Sequence, residues 1–270
     1  MRRLVASTIL ITVATACATI STQQEVQMGQ EYSQQINAQL PILQDAEINR
    51  YINVLGDSIA KVNDPRNLQW HFYVVDTKEV NAFAVPGGYI YVNRGLIAQT
   101  DKMDQLAGVL GHEIGHVLNR HTVKLMEKEN AANVGVQLGC ILTNICNNAA
   151  AGAAINVAGS AVFAKFSRQD ETEADESGVQ NVTRAGIDPR GIPEMFQKLL
   201  DEQSSSPSTV AAWFATHPTE QSRIADTDAM IAKIDPVVLN SLTQDTPNFH
   251  AFKQRLQALP PSPPPKQAGN

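Results

Sequence analysis

The sequence is short of cysteine, of positive charge and of long apolar runs, and each shortage closes off a class of protein. Only three cysteines occur in 270 residues. Cys140 and Cys146 are poor metal ligands, because no histidine or second cysteine pair accompanies them. Lys and Arg number 21 against 27 Asp and Glu, a net charge of −6. That is the opposite of the basic excess a non-specific nucleic-acid binder carries, so no nucleic-acid partner is expected. The most apolar internal stretch, Ala131 to Phe163, is interrupted by Asn133, Gln137, Asn144, Asn147, Asn148 and Asn156. It offers no clean span of about 20 apolar residues and is rejected as a transmembrane helix. No repeat of about 20 to 50 residues recurs either. What is left, 43% hydrophobic and 18% charged, is an ordinary globular composition able to bury a core.

The first residues have a different build. Arg2 and Arg3 precede an apolar stretch from Leu4 to Ala16 that ends in small residues. This is the pattern of a secretory signal peptide over residues 1–16, too short to span a bilayer. Its removal would take the charge to −8. Ala14-Thr15-Ala16-Cys17 supports two readings of one cut after Ala16: an ordinary export site, or a lipoprotein signal whose Cys17 becomes acylated. Ala14 stands where such a signal usually has Leu, and Ala18 after the cysteine favours the outer membrane. Export would place Cys140 and Cys146 in an oxidising compartment, where a disulfide is permitted. Six residues apart on one helix they are too distant to bond. A bridge therefore requires a turn, which Thr143-Asn144 can supply; two buried thiols are the alternative.

Residues 17–24 form a polar tether, and the domain is expected over 25–258. Met28, Tyr32, Ile36 and Leu40 repeat at helical spacing. Asp45 reads as the N-cap of a second helix with an apolar stripe of Ile48, Tyr51, Ile52, Leu55, Ile59 and Val62. After a break at Asn63–Asn67, strands are expected at Trp70–Asp76, Asn81–Val85 and Tyr89–Asn93, with Pro86-Gly87-Gly88 as a turn. Helices follow at about Met103–His121, Gln169–Ala185, Pro189–Glu202 and Thr219–Ile234. The Pro-rich segment 259–270 is expected to be disordered.

Chemistry concentrates in His112-Glu113-Ile114-Gly115-His116. Residues four apart share one helix face, so His112 and His116 can place two imidazoles on one zinc ion. Glu113 adjoins the first ligand and can act as base on water without taking a coordination position. Leu106, Val109, Leu110, Ile114 and Val117 form the opposite, buried face. Gly108, Gly111 and Gly115 each cost up to about 1 kcal/mol relative to Ala in a helix; they make sense if a backbone or substrate approaches closely. A third ligand must come from elsewhere. The acidic run Ser167 to Asp175 offers Glu171 and Asp175 on one face, with Glu173 pointing away. Taken alone, that run also suits a solvated helix start.

An H-E-x-x-H helix followed by Ser167-Arg168-Gln169-Asp170-Glu171-Thr172-Glu173-Ala174-Asp175 resembles the gluzincin zinc metallopeptidases of the HtpX, BepA and CAAX-prenyl-protease family. The resemblance extends to Asn81-Ala82-Phe83-Ala84-Val85-Pro86-Gly87-Gly88, which looks like that family's strand beside the cleft. It also covers His217-Pro218-Thr219-Glu220-Gln221-Ser222-Arg223-Ile224. It implies Glu171 as third zinc ligand, Asp175 as a support orienting His112, and Asn81, Ala82, Phe83 and Ala84 at the substrate. It also lays the loop of His217 across the cleft. There His217 would fill the open position on zinc and hold the enzyme latent, or stabilise an oxyanion; a backbone-bonded helix-start histidine is the plain alternative. Arg223 is expected to bind a substrate carbonyl or pair with acidic residues, as is Arg168. His121, one turn beyond His116, reads as a helix-end polar residue, with crowding of the metal face as the alternative, and His71 and His250 read as strand or surface residues. Lacking the flanking transmembrane helices, the chain looks like the soluble, periplasm-facing branch, without a tetratricopeptide domain.

The fold expected is α+β: a mainly helical zincin-like domain with a small β-sheet edging the active-site cleft. The activity expected is peptide-bond hydrolysis with one zinc per chain, acting on unfolded or misfolded envelope proteins in quality control. Membrane contact is expected only through a lipid at Cys17. An envelope chaperone or assembly factor that rarely cuts is the alternative, and a hydrolase of non-peptide bonds is a further rival that the open strand edge disfavours.

Overall fold

In a computed structural model, residues 19–128, 165–218 and 221–263 are described. Cys17, Cys140, Cys146 and the whole Ala131–Phe163 stretch lie outside them.

Helix α1 (Thr22–Gln39) starts at a reciprocal cap: Ser21 Oγ accepts from Gln24 N, and Gln24 Oε1 accepts from Ser21 N. The helix therefore begins inside the segment expected to be a tether. Asp45 caps α2 (Ala46–Ala60) by accepting from the Glu47 and Ile48 amides. Ile48, Ile52, Leu55 and Ile59 of its stripe are buried, but Val62 lies past the helix end and is exposed.

Strands β1 (His71–Val75), β2 (Ala82–Val85) and β3 (Tyr89–Asn93) form one sheet in the order β1-β3-β2. β1 runs parallel to β3, with Phe72 opposite Ile90, and β2 runs antiparallel to it, with Ala84 opposite Ile90. Gly87 and Gly88, at φ +82° and +100°, make the β2–β3 turn in a region that L side chains avoid. The sheet is covered on both faces, so β2 and β3 are buried throughout. One face gives Phe72, Val74, Ala82, Ala84, Ile90 and Val92 to the main core. The other gives Val75, Phe83, Val85, Tyr89 and Tyr91 to a second cluster with Tyr32 and Ile36 of α1.

Helices α3 (Arg94–Gln99), α4 (Met103–Leu118) and α5 (His121–Lys128) follow, then α6 (Arg168–Arg184), α7 (Gly191–Ser205) and α8 (Pro207–Thr216). The rest are α9 (Gln221–Ile231), the single turn α10 (Pro236–Leu239) and α11 (Pro247–Ala258). Helix α4 is the axis of the domain. Every residue from Met103 to Val117 is buried, not only the expected apolar face. It lies against α6 so closely that a Cβ on Gly115 would stand 2.9 Å from the Ala174 carbonyl oxygen, and one on Gly111 2.8 Å from Val182 Cγ1. The glycines thus serve helix–helix contact. The helix also ends sooner than expected: Arg120, at φ +58°, turns the chain before α5. Residues 260–263 are tied down, with Arg94 Nη1 donating to the Pro260 carbonyl and Ser262 Oγ to Asp76.

Candidate metal centre

The helical period brings His112 and His116 to one face of α4, their Nε2 atoms 3.1 Å apart. The glycine-lined contact with α6 carries Glu171 to the same point: its Oε1 lies 3.5 Å from His116 Nε2. His217, just past α8, adds Nδ1 at 3.4 Å from His112 Nε2 and 3.1 Å from Glu171 Oε1. These four buried side chains offer ligand atoms all within 4.8 Å of one another.

That spacing has a chemical meaning. Zinc held tetrahedrally by N and O donors at about 2.0–2.2 Å requires donors about 3.3–3.6 Å apart. Four of the six separations, 3.1 to 3.5 Å, are close to it, and the set as a whole lies within 4.8 Å. Glu171 Oε2, in the donor set, and both carboxylate oxygens of Glu113, beside it, are buried without a hydrogen-bond partner, a polar pocket that calls for a ligand. The donor set fits a single zinc ion.

Around the donors, charge is arranged to favour binding. Asp175 Oδ1 is 2.9 Å from His112 Nδ1, without the alignment of a full hydrogen bond. Arg223 donates to both Asp175 oxygens, through Nε at 2.8 Å and Nη2 at 2.7 Å. Its Nη1 donates to the Pro218 carbonyl and stands 2.5 Å from Glu171 Oε2. Burial pushes Glu171 and Asp175 up, yet the facing histidines and Arg223 outweigh it and hold both below the ordinary carboxylate range. Burial raises Glu113, against the pull of His217 and His112. It drives His116 well down, helped by the neighbouring histidines. For His217 burial acts downward, but Glu171 and Glu113 reverse it, and the imidazole is raised.

Several expectations need correction. Of the two roles expected for Arg223 the structure shows the pairing with acidic residues: its guanidinium is engaged by Asp175, Glu171 and the Pro218 carbonyl. The side chains of Asn81, Ala82, Phe83 and Ala84 are buried, with Phe83 stacked 4.8 Å from Tyr91, so this segment has only main chain to offer a ligand. His121 does not end the H-E-x-x-H helix but opens α5, and it turns back toward the donors. Its Nδ1 meets His116 Nδ1 at 2.9 Å, and its Nε2 meets Glu173 Oε2 at 3.2 Å. His71 in β1 stacks on Tyr89, and His250 pairs with Asp245 at the surface. Phe166, unread in the sequence, stacks 4.0 Å from His116.

A buried H-E-x-x-H pair joined by a carboxylate from a second helix, with an unpartnered glutamate beside it, defines a metallopeptidase centre of the gluzincin class. Residues 43–231 match Peptidase family M48, and the chain belongs to that family, whose members are zinc-dependent metallopeptidases. It is similar to the beta-barrel assembly-enhancing protease of Escherichia coli strain K12, 34% identical over 253 residues, covering 90% of this chain and 50% of that protein. The protein of the same name from Yersinia pestis is 38% identical over 219 residues, 78% of this chain and 44% of that one. The mitochondrial metalloendopeptidase OMA1 of Schizosaccharomyces pombe is 25% identical over 214 residues, 76% and 60% respectively. The chain spans about half the length of the bacterial relatives it matches.

Proposed function

We propose that this chain is a zinc endopeptidase that cuts unfolded or misfolded protein in the bacterial envelope. The observation that carries the reading is the buried set of His112, His116, Glu171 and His217 with the unpartnered Glu113 carboxylate beside it. His112, His116 and Glu171 would hold the ion. Zinc, when bound, supplies Lewis acidity that polarises a carbonyl and eases deprotonation of water. Glu113, raised by burial, takes the proton from the attacking water and returns it to the leaving amine. Asp175 and Arg223 keep His112 and Glu171 in place while the peptide turns over.

His217 decides when this happens. A structural zinc site has four protein ligands, whereas a catalytic one keeps a position open. With Nδ1 among the donors and Nε2 3.5 Å from Glu113 Oε1, His217 occupies the space where water and substrate belong. This supports the latch over the oxyanion role and makes the resting enzyme latent. Substrate would enter along β2, which lies at the edge of the sheet. An extended peptide added there is read through its backbone, and unfolded chains suit that mode.

The closed donor set also supports a second reading, an assembly factor that binds envelope proteins and rarely cuts, in keeping with the relatives' name of beta-barrel assembly-enhancing protease. Zinc-loaded protein incubated with unfolded casein separates the two. The peptidase reading expects slow cleavage that disappears in Glu113→Gln while zinc stays bound. Cleavage surviving that substitution would sink Glu113 as base, and none under any condition would favour the assembly factor. The signal-peptide pattern of residues 1–16 and the acylation pattern ending at Cys17 support a periplasmic place at the outer membrane. The native protein should then carry acyl mass on Cys17, and a bare Cys17 would remove the anchor.

A further inference from the structure

The two zinc-binding histidines on α4 are braced in different ways. His112 has a carboxylate at its far nitrogen, Asp175 at 2.9 Å. His116 has another histidine. On an unbroken helix, residue i+5 lies about 140° round from residue i, out of reach of its ring. Here the chain breaks after Leu118, and Arg120 takes a left-handed conformation that costs energy for a residue other than glycine. Glu25 holds it there, accepting from Arg120 Nε at 2.7 Å, and Arg120 Nη2 donates to the Ile20 carbonyl. The turn swings His121 back until its Nδ1 is 2.9 Å from His116 Nδ1.

Proton counting assigns the direction of that contact. An imidazole that commits its Nε2 lone pair to an ion carries its proton on Nδ1. His116 Nε2 faces the donor set, so its Nδ1–H must donate outward. The facing Nδ1 of His121 must then accept, which leaves the His121 proton on Nε2. That nitrogen points at Glu173 Oε2, 3.2 Å away, with Asp170 Oδ1 at 4.0 Å. Phe166 fixes the plane of His116 by stacking but cannot choose its tautomer. We infer that His121 is a positioning residue: it holds His116 as the Nδ1–H tautomer with Nε2 aimed at zinc, and Glu173 completes the chain at the surface. This rests on His116 being a zinc ligand.

Two side chains separate the hydrogen bond from simple packing. His121→Asn keeps an acceptor near the place of Nδ1, and His121→Phe keeps a ring with no acceptor. Zinc affinity by chelator competition should fall about 10- to 100-fold in His121→Phe, and His121→Asn should recover most of it. Imidazole 15N–1H spectra of the zinc-loaded native protein should show His116 protonated at Nδ1 and His121 at Nε2. A native spectrum with the proton on His121 Nδ1 would overturn the inference without any variant having to fold. So would His121→Phe binding zinc as tightly as the native chain, or both variants weakened alike. Failure of the metal-centre reading itself looks different: the native chain would bind no zinc, or zinc would leave the His116 signals unmoved.

Discussion

At the scale of single residues, Asp104 poses a problem that the metal centre does not explain. It lies in the first turn of α4, buried, and neither carboxylate oxygen has a hydrogen-bond partner. Lys102 Nζ at 3.6 Å is too far to bond it. Burial pushes its pKa from 3.8 to about 6, with Glu194 and Asp188 adding to the rise against Lys102. A raised carboxylate pKa means that the folded state holds the proton more tightly than the unfolded one. The stability linked to that proton is present at low pH and lost as pH rises from about 4 through about 6. Asp104→Asn, which cannot ionise, should therefore raise the melting temperature at pH 7.5. The gap between the two proteins should close as pH falls to 4. A gap independent of pH, or a less stable variant at pH 7.5, would show that the Asp104 charge is tolerated. His112, Glu113 and His116 were legible in the sequence because one helical period sets their geometry. Asp104 and His121 were not. A buried carboxylate without a hydrogen-bond partner leaves no mark on the local pattern, and the role of His121 depends on a backbone turn at Arg120 that is stabilised by Glu25, 95 residues away.

At the scale of elements, the proposed latch depends on the segment just after α8, which carries His217. His217 N donates to the Trp213 carbonyl at 2.8 Å and so ends α8, while Arg223 of α9 holds the Pro218 carbonyl at 3.1 Å. The proposed latch would require His217 to leave the donor set while these two main-chain contacts hold. Replacing His217 with Ala should raise casein cleavage if the residue is a latch. A fall of about 10²-fold would assign it to the oxyanion instead, and unchanged turnover at full zinc occupancy would dismiss both roles. Most elements could be read from periodicity: α2 with its Asp45 cap, the three strands, and α6 and α7. The short α3 and α5 were merged into neighbours or missed, since breaks at Thr100 and Arg120 carry no proline or glycine. α8 was passed over because it opens on a run of serines, though Val210 and Trp213 bury one face. α11 repeats Phe249, Phe252 and Leu256 at helical spacing and is buried along that line. That signal was present and went unread.

At the scale of the whole molecule, function follows from putting α4 at the centre. The sheet lies on one side of it, α6 and α7 on the other, and α1 closes the outer face of the sheet. Three donors of the set come from the buried helices α4 and α6, and the fourth, His217, from the C-cap of α8. Sheet order, the approach of α6 and the return of His217 are contacts between distant segments, which no local pattern encodes; the resemblance of the acidic run supplied Glu171. The central claim is that three fixed donors and one removable histidine share a single zinc ion. Zinc-edge X-ray absorption reads this most directly by counting imidazoles around the metal. The native zinc-loaded chain should show a four-coordinate shell of N and O at about 2.0–2.2 Å, with scattering from the three imidazoles of His112, His116 and His217. In His217→Ala that count should drop to two. The same imidazole count in both proteins, or sulfur in the shell, would contradict the account.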